Sequence, residues 1–157
     1  MIKENLLKKI EQREIVVGVV GLGYVGLPLA VEKAKAGFKT IGFDVQDSKV
    51  EMVNAGHNYI GDVVDQDLAD IVKNGMLSAT NDFSFIRDVD FVAICVPTPL
   101  DIYQQPDISY VKASTEAIAL YMTKGTMVVL ESTTYPGTTE ELVKPILEAG
   151  SGLICGE

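Results

Sequence analysis

The residues of this chain whose types and spacing suit chemistry lie in three short loops. The first is Gly21-Leu22-Gly23-Tyr24-Val25-Gly26, a G-x-G-x-x-G pattern directly after an apolar run and directly before a helix-like segment. In such a turn Gly21 allows the tight bend, Gly23 lets a diphosphate approach the backbone, and Gly26 lets helix and strand pack closely. The helix start then presents unpaired N–H groups and the positive end of its dipole to the phosphates. A plain strand–helix turn would not require three glycines at this spacing. Asp44 follows Gly21 by 23 residues, at the end of the next apolar run. A carboxylate there accepts hydrogen bonds from both hydroxyls of an adenosine ribose, each charge-assisted bond being worth about 1.5–3 kcal/mol. The same charge repels a 2′-phosphate, so the cofactor expected is NAD rather than NADP. Lys49 tempers that preference, since it lies near enough in sequence to reach the same ribose. The competing readings of Asp44 are a helix cap and a solvated surface acid.

Two further loops leave the expected carboxyl ends of strands, where ligands sit in open α/β sheets. Val96-Pro97-Thr98-Pro99 is stiff, because Pro97 fixes its own φ and Pro99 keeps Thr98 out of the helical region. The Thr98 hydroxyl is therefore expected to face the cofactor crevice; the alternative is a proline-rich strand terminator with Thr98 merely exposed. Glu131 to Thr139 holds a serine and four threonines. Thr133 is the ligand-facing candidate there, and Thr138 the candidate cap for the next helix. Hydroxyl-rich loops also occur as plain helix caps, so only part of this cluster need serve a ligand. Cys95, inside an apolar run, reads as a small core residue. Cys155 matches no nucleophile motif, His57 has no partner at a defined spacing, and no group of residues has metal-ligand spacing.

The elements that must position these loops alternate along the chain. Ile2, Leu6 and Ile10 recur at intervals of four, which predicts an amphipathic helix over 1–14, capping a sheet edge. Ile15–Val20 is apolar on both faces, as strands of a parallel sheet covered by helices are. The periodicity then predicts a helix over Val25–Ala36, strand Thr40–Phe43 and helices Ser48–Asn54 and Gln66–Lys73. A weak strand Leu77–Ala79 and a strong one Phe91–Val96 follow, then helix Ile108–Met122, strand Met127–Leu130 and helix Thr138–Ala149. Parallel strands need crossovers, so the fold class is a Rossmann-type, doubly wound parallel sheet in three α/β/α layers. Leu153-Ile154-Cys155 reads as the opening of a sixth strand, so residues 15–157 are expected to be one domain of a longer enzyme, cut in its last strand.

Composition agrees with a single folded domain: 157 residues, 47% apolar and 22% charged. Thirteen basic against 22 acidic residues give a charge of −9, which argues against nucleic-acid binding through a basic face. The first fifteen residues are too charged for a signal peptide, and the uncharged stretch Ile15–Val31 is broken by four glycines and a proline. No membrane association and a cytoplasmic setting are expected.

Together, GLGYVGLPLA (Gly21–Ala30), GFDV (Gly42–Val45), CVPTPL (Cys95–Leu100) and ESTTYPGTTEE (Glu131–Glu141) resemble the N-terminal, NAD-binding half of the nucleotide-sugar dehydrogenases, the UDP-glucose/GDP-mannose dehydrogenase family. The last two motifs are most similar to those of enzymes oxidising UDP-N-acetylhexosamines, such as UDP-N-acetylglucosamine 6-dehydrogenase. The resemblance implies oxidation of a sugar C6 alcohol to a carboxylate with reduction of two NAD, in polysaccharide biosynthesis. It implies Tyr24 and Val25 at the pyrophosphate, Asp44 and Lys49 at the adenosine ribose, and Val96, Pro97, Thr98 and Thr133 toward the nicotinamide. The family's catalytic lysine and cysteine and its UDP-sugar site would lie beyond residue 157, so the chain alone should bind NAD(H) without turnover. The full-length enzyme is allowed to be a homo-oligomer. Two other classes share the glycine turn and the acid: a non-catalytic NAD(H)-sensing regulatory domain, and a methyltransferase using S-adenosylmethionine.

Overall fold

A computed structural model describes residues 2–157. Five parallel strands form one sheet: β1 (Val16–Val20), β2 (Lys39–Phe43), β3 (Leu77–Thr80), β4 (Phe91–Ile94) and β5 (Met127–Leu130). Their order across the sheet is β3-β2-β1-β4-β5. Chain direction across the sheet reverses at β1, so a crevice opens between the carboxyl ends of β1 and β4. Register aligns those ends: Val20 stands beside Phe43 and Ile94, and Ile94 beside Leu130.

The β-branched residues of β1 point alternately to two covered faces. Val17 and Val19 pack with Leu27, Ala30 and Val31 of α2 (Gly26–Lys35), Val53 of α3 (Asp47–Asn54) and Leu68 and Ile71 of α4 (Asp65–Lys73). Val20, on the opposite face, packs with Val111 and Ile118 of α5 (Ser109–Ala119) and Leu147 of α6 (Lys144–Ser151). The three-layer expectation holds. Phe43 and Leu22 are fully buried, and each such side chain stabilises the fold by about 1.5–3 kcal/mol.

The N-terminal helix α1 (Ile2–Glu11) forms, but it does not cap a sheet edge, and Met1 lies outside the described residues. It crosses the amino ends of the strands. Lys9 pairs with Asp90, whose other carboxylate oxygen accepts the Val16 amide at 2.9 Å, and Ile2 lies against Gly125 just before β5. Leu6 and Ile10 are half-buried against the core. Asp90 thus links α1, through Lys9, to the first amide of β1.

Three other expectations need correction. Leu153–Cys155 pairs with no strand: Gly152 ends α6 in a left-handed conformation (φ 71°), and the Cys155 amide donates to the Glu148 carboxylate at 3.0 Å. The helix read as Thr138–Ala149 opens with a π-helical turn, Thr139–Val143, before α6. The strand read as Phe91–Val96 stops at Ile94, and a short 3-10 helix over Phe83–Asp88 went unread. Among the described residues no helix is long and apolar enough to cross a membrane.

Candidate functional site

The glycine bend is built against the end of β4. Gly21 has φ 92°, and a Cβ there would stand 2.7 Å from the Cys95 carbonyl oxygen. A Cβ on Gly26 would lie 1.6 Å from the Gly21 oxygen, so α2 can start at this point only with a bare Cα. Gly23 differs: a Cβ there would meet nothing within 4 Å. Its bareness serves no contact inside the protein and keeps open a cradle that a methyl group would fill. Val25, the residue before α2, supplies no side-chain cap; the Leu27 amide donates to the Gly23 carbonyl at 3.1 Å and Pro28 has no N–H, so the Gly26 amide is the one in the first turn of the helix left for an incoming acceptor. Tyr24 and Val25 are exposed at the mouth of this cradle.

Asp44 stands beside the bend. Its Oδ2 accepts the Leu22 amide at 2.8 Å, its Oδ1 accepts the Gln46 amide at 2.9 Å, and Lys49 Nζ lies 3.6 Å from Oδ2. The carboxylate is 7% exposed, and the lysine and amides compensate its desolvation. It is thus neither a helix cap nor a solvated surface acid. Lys49 is Asp44's ion-pair partner, so its charge is partly committed. The Tyr59 hydroxyl donates to the Leu22 carbonyl at 2.7 Å. Burial, reinforced by the charge of Asp44, raises the Tyr59 phenol above its ordinary value.

The two hydroxyl-bearing loops meet above β4. Ser132 Oγ donates to the Val96 carbonyl at 2.8 Å, tying the loop after β5 to the loop after β4. Thr98 is half-buried between Pro97 and Pro99, both exposed, while Thr133 is exposed on the neighbouring loop. Thr138 is not a side-chain cap: its hydroxyl is buried and donates to the Tyr135 carbonyl at 2.7 Å. Cys95 is buried as read, and burial, then the nearby Glu131 charge, pushes its thiol up to about 12. Cys155 and His57 are exposed and stand outside the cradle.

Sequence reasoning missed Tyr59 and Ser132. No spacing marks Tyr59, 37 residues from its partner. Ser132 was within reach of sequence reasoning, since it lies nearer the end of β5 than Thr133 does. A groove of about 590 Å³ beside β5, between α1 and α6, gathers none of the predicted site residues.

A doubly wound sheet with this bend, an uncapped helix start and a backbone-held carboxylate defines a dinucleotide-binding domain. Residues 15–154 match the family model for the UDP-glucose/GDP-mannose dehydrogenase family, NAD binding domain, and the chain belongs to that family. It is 38% identical to the UDP-N-acetyl-D-glucosamine 6-dehydrogenase of Pseudomonas aeruginosa over 90% of this chain and 32% of that protein. Protein CapL of Staphylococcus aureus is 39% identical over the same shares. Among solved structures, the NDP-N-acetyl-D-galactosaminuronic acid dehydrogenase of Methanosarcina mazei Go1 superposes with a TM-score of 0.84 at 36% identity, covering 97% of this chain and 35% of that one. The chain spans about a third of the length of the curated relatives it matches.

Proposed function

We propose that this chain is the cofactor half of an NAD-dependent nucleotide-sugar 6-dehydrogenase. Such an enzyme oxidises the C6 alcohol of a UDP-N-acetylhexosamine to a carboxylate, with two NAD reduced. The observation that carries the reading is the open cradle at Gly23 beside a carboxylate held by the Leu22 amide. In this reading Gly21, Gly23 and Gly26 shape the pyrophosphate cradle, and the backbone at Tyr24 and Val25 contacts the phosphates. Asp44 accepts the ribose hydroxyls with Lys49 beside it, and Val96, Pro97, Thr98 and Thr133 flank the nicotinamide. NAD supplies the hydride acceptor; the chain's own residues bind and orient it. The activities named for the similar dehydrogenases support the sugar class.

We place the chain in the cytoplasm, with residues 15–157 as one domain and α1 as an appendage. Hydride transfer also requires a sugar held against the nicotinamide, a task we assign to parts that the longer relatives possess. Titration of the 157-residue chain with NADH, followed by fluorescence, should show saturable binding. Addition of NAD and UDP-N-acetylglucosamine should give no NADH. Failure to bind NADH would remove the cofactor reading, and turnover by this chain alone would remove the division of labour.

A further inference from the structure

We infer that Tyr59 is a positioning residue for the dinucleotide cradle, acting through the Leu22–Gly23 peptide; the inference rests on the cofactor reading above. Tyr59 lies in the segment between α3 and α4, and that segment is a rigid support. The Asn58 side-chain amide donates to the carbonyls of Ile60 and Val63 at 2.9 and 2.7 Å, and its oxygen accepts the Ile60 amide at 2.9 Å. Ile60 and Val63 are themselves buried. From this support the phenol reaches the Leu22 carbonyl at 2.7 Å.

Leu22 is otherwise fixed on its amino side. Its amide is taken by Asp44, and its Cδ atoms fill the notch left by Gly42, lying 2.7 and 2.8 Å from where a Cβ would stand. The peptide that follows has no such anchor. It leads into Gly23, whose carbonyl accepts the Leu27 amide at 3.1 Å but whose missing side chain leaves φ loosely restrained, so the Leu22–Gly23 plane can rotate at little cost. In a trans peptide the C=O and the next N–H point in opposite directions, and no peptide bond among the described residues is cis. By holding the Leu22 carbonyl, Tyr59 aims the Gly23 amide away from itself and sets how the bend presents its amides to a diphosphate.

The test is Tyr59→Phe, which keeps the ring and removes the hydroxyl. Affinity of the 157-residue chain for NADH and for ADP should fall about tenfold, because a misaimed amide loses a charge-assisted bond to phosphate. Affinity for adenosine, which has no phosphate, should not change. In amide proton–nitrogen spectra, NADH should move the Gly23 resonance downfield in the wild-type chain and leave it nearly still in the variant. A variant that binds NADH and ADP as the wild type does overturns the inference. So does one that loses adenosine and NADH equally, because that is a general structural defect. Should the variant not fold, the wild-type titration decides: a Gly23 amide that moves with NADH supports the inference, and one that stays still while NADH binds overturns it. A wild-type chain that binds neither NADH nor ADP fails at the earlier step, the cofactor reading itself.

Discussion

Replacing Asp44 with asparagine separates the fold-holding part of this carboxylate from its proposed ligand-binding part. The two oxygens accept two amides, Leu22 at 2.8 Å and Gln46 at 2.9 Å, on different atoms. Asparagine offers one oxygen and one NH2, so one amide must face another donor. Leaving a buried N–H unpaired costs about 1–3 kcal/mol. For a chain of this size each kcal/mol lowers the melting temperature by about 2–4 °C, so Asp44→Asn should melt roughly 2–12 °C lower and still fold. The ligand effect is separate. Two ribose hydroxyls lose a charged acceptor, which should raise the NADH dissociation constant about tenfold to a hundredfold. NADPH gains, because the charge that repels its 2′-phosphate is gone, so the preference for NADH over NADPH should narrow by at least about tenfold. Titration calorimetry with both cofactors, beside a thermal melt, measures all three quantities. A variant that keeps both the NADH affinity and the NADH/NADPH ratio, whatever its melting temperature, refutes Asp44 as the ribose acceptor.

The glycines should part company under alanine substitution. Gly26→Ala puts a Cβ 1.6 Å from the Gly21 oxygen and should destabilise the chain by about 3 kcal/mol, whereas Gly23→Ala should melt within about 0.5 kcal/mol of wild type yet lose most NADH affinity; thermal melts and NADH titrations distinguish the two. Ser132→Ala removes the donor to the Val96 carbonyl, and chemical denaturation should register about 1 kcal/mol of lost stability. Cys95 holds its proton in the fold up to about 12, against 9.0 for a free thiol, so its contribution to stability is present below 9.0 and lost as pH rises beyond it. A thiol reagent in mildly alkaline buffer should accordingly label Cys155 in the native chain and Cys95 only on unfolding. Asp82 has its carboxyl held below 3.8 by the Ser84 side-chain and backbone hydrogen bonds and, less, by Arg87, so its contribution is present above 3.8 and lost on acidification. Asp82→Asn should therefore flatten the acid limb of stability against pH, read from denaturant midpoints.

What was legible in the sequence was local. The apolar run of β1, three glycines and an acid at the end of β2 lie within a single βαβ unit, where neighbours in the chain are neighbours in space. The structure brings that bend and Asp44 into contact through Leu22. Elements whose form depends on a distant partner were misread. Leu153–Cys155 has strand-like composition, but a strand is defined by its pairing, and Glu148 takes the Cys155 amide instead. Thr138 has the right type for a cap, yet its hydroxyl turns to Tyr135 and the following turn is π-helical, a difference that periodicity over one turn cannot register. The spacing of Ile2, Leu6 and Ile10 gave α1, while its resting place depended on Asp90, eighty-one residues from Lys9.

These misreadings share a cause with the residues that reasoning missed. Beyond the last ladder bond of a parallel strand, backbone donors and acceptors remain that something must satisfy. In the first loop the Leu22 carbonyl goes to Tyr59, and in the second the Val96 carbonyl goes to Ser132. In both cases the partner is a side chain from another loop at the same end of the sheet. A side chain chosen to satisfy an orphan group needs only reach and a hydroxyl, properties that leave no period and no fixed spacing. Such hydroxyls are nevertheless what turn a flexible bend or a proline-rich strand end into a surface of defined geometry. For doubly wound domains it follows that the sequence locates the crevice, while the residues that stiffen it are found only by asking where each carbonyl past the strand ends is bonded.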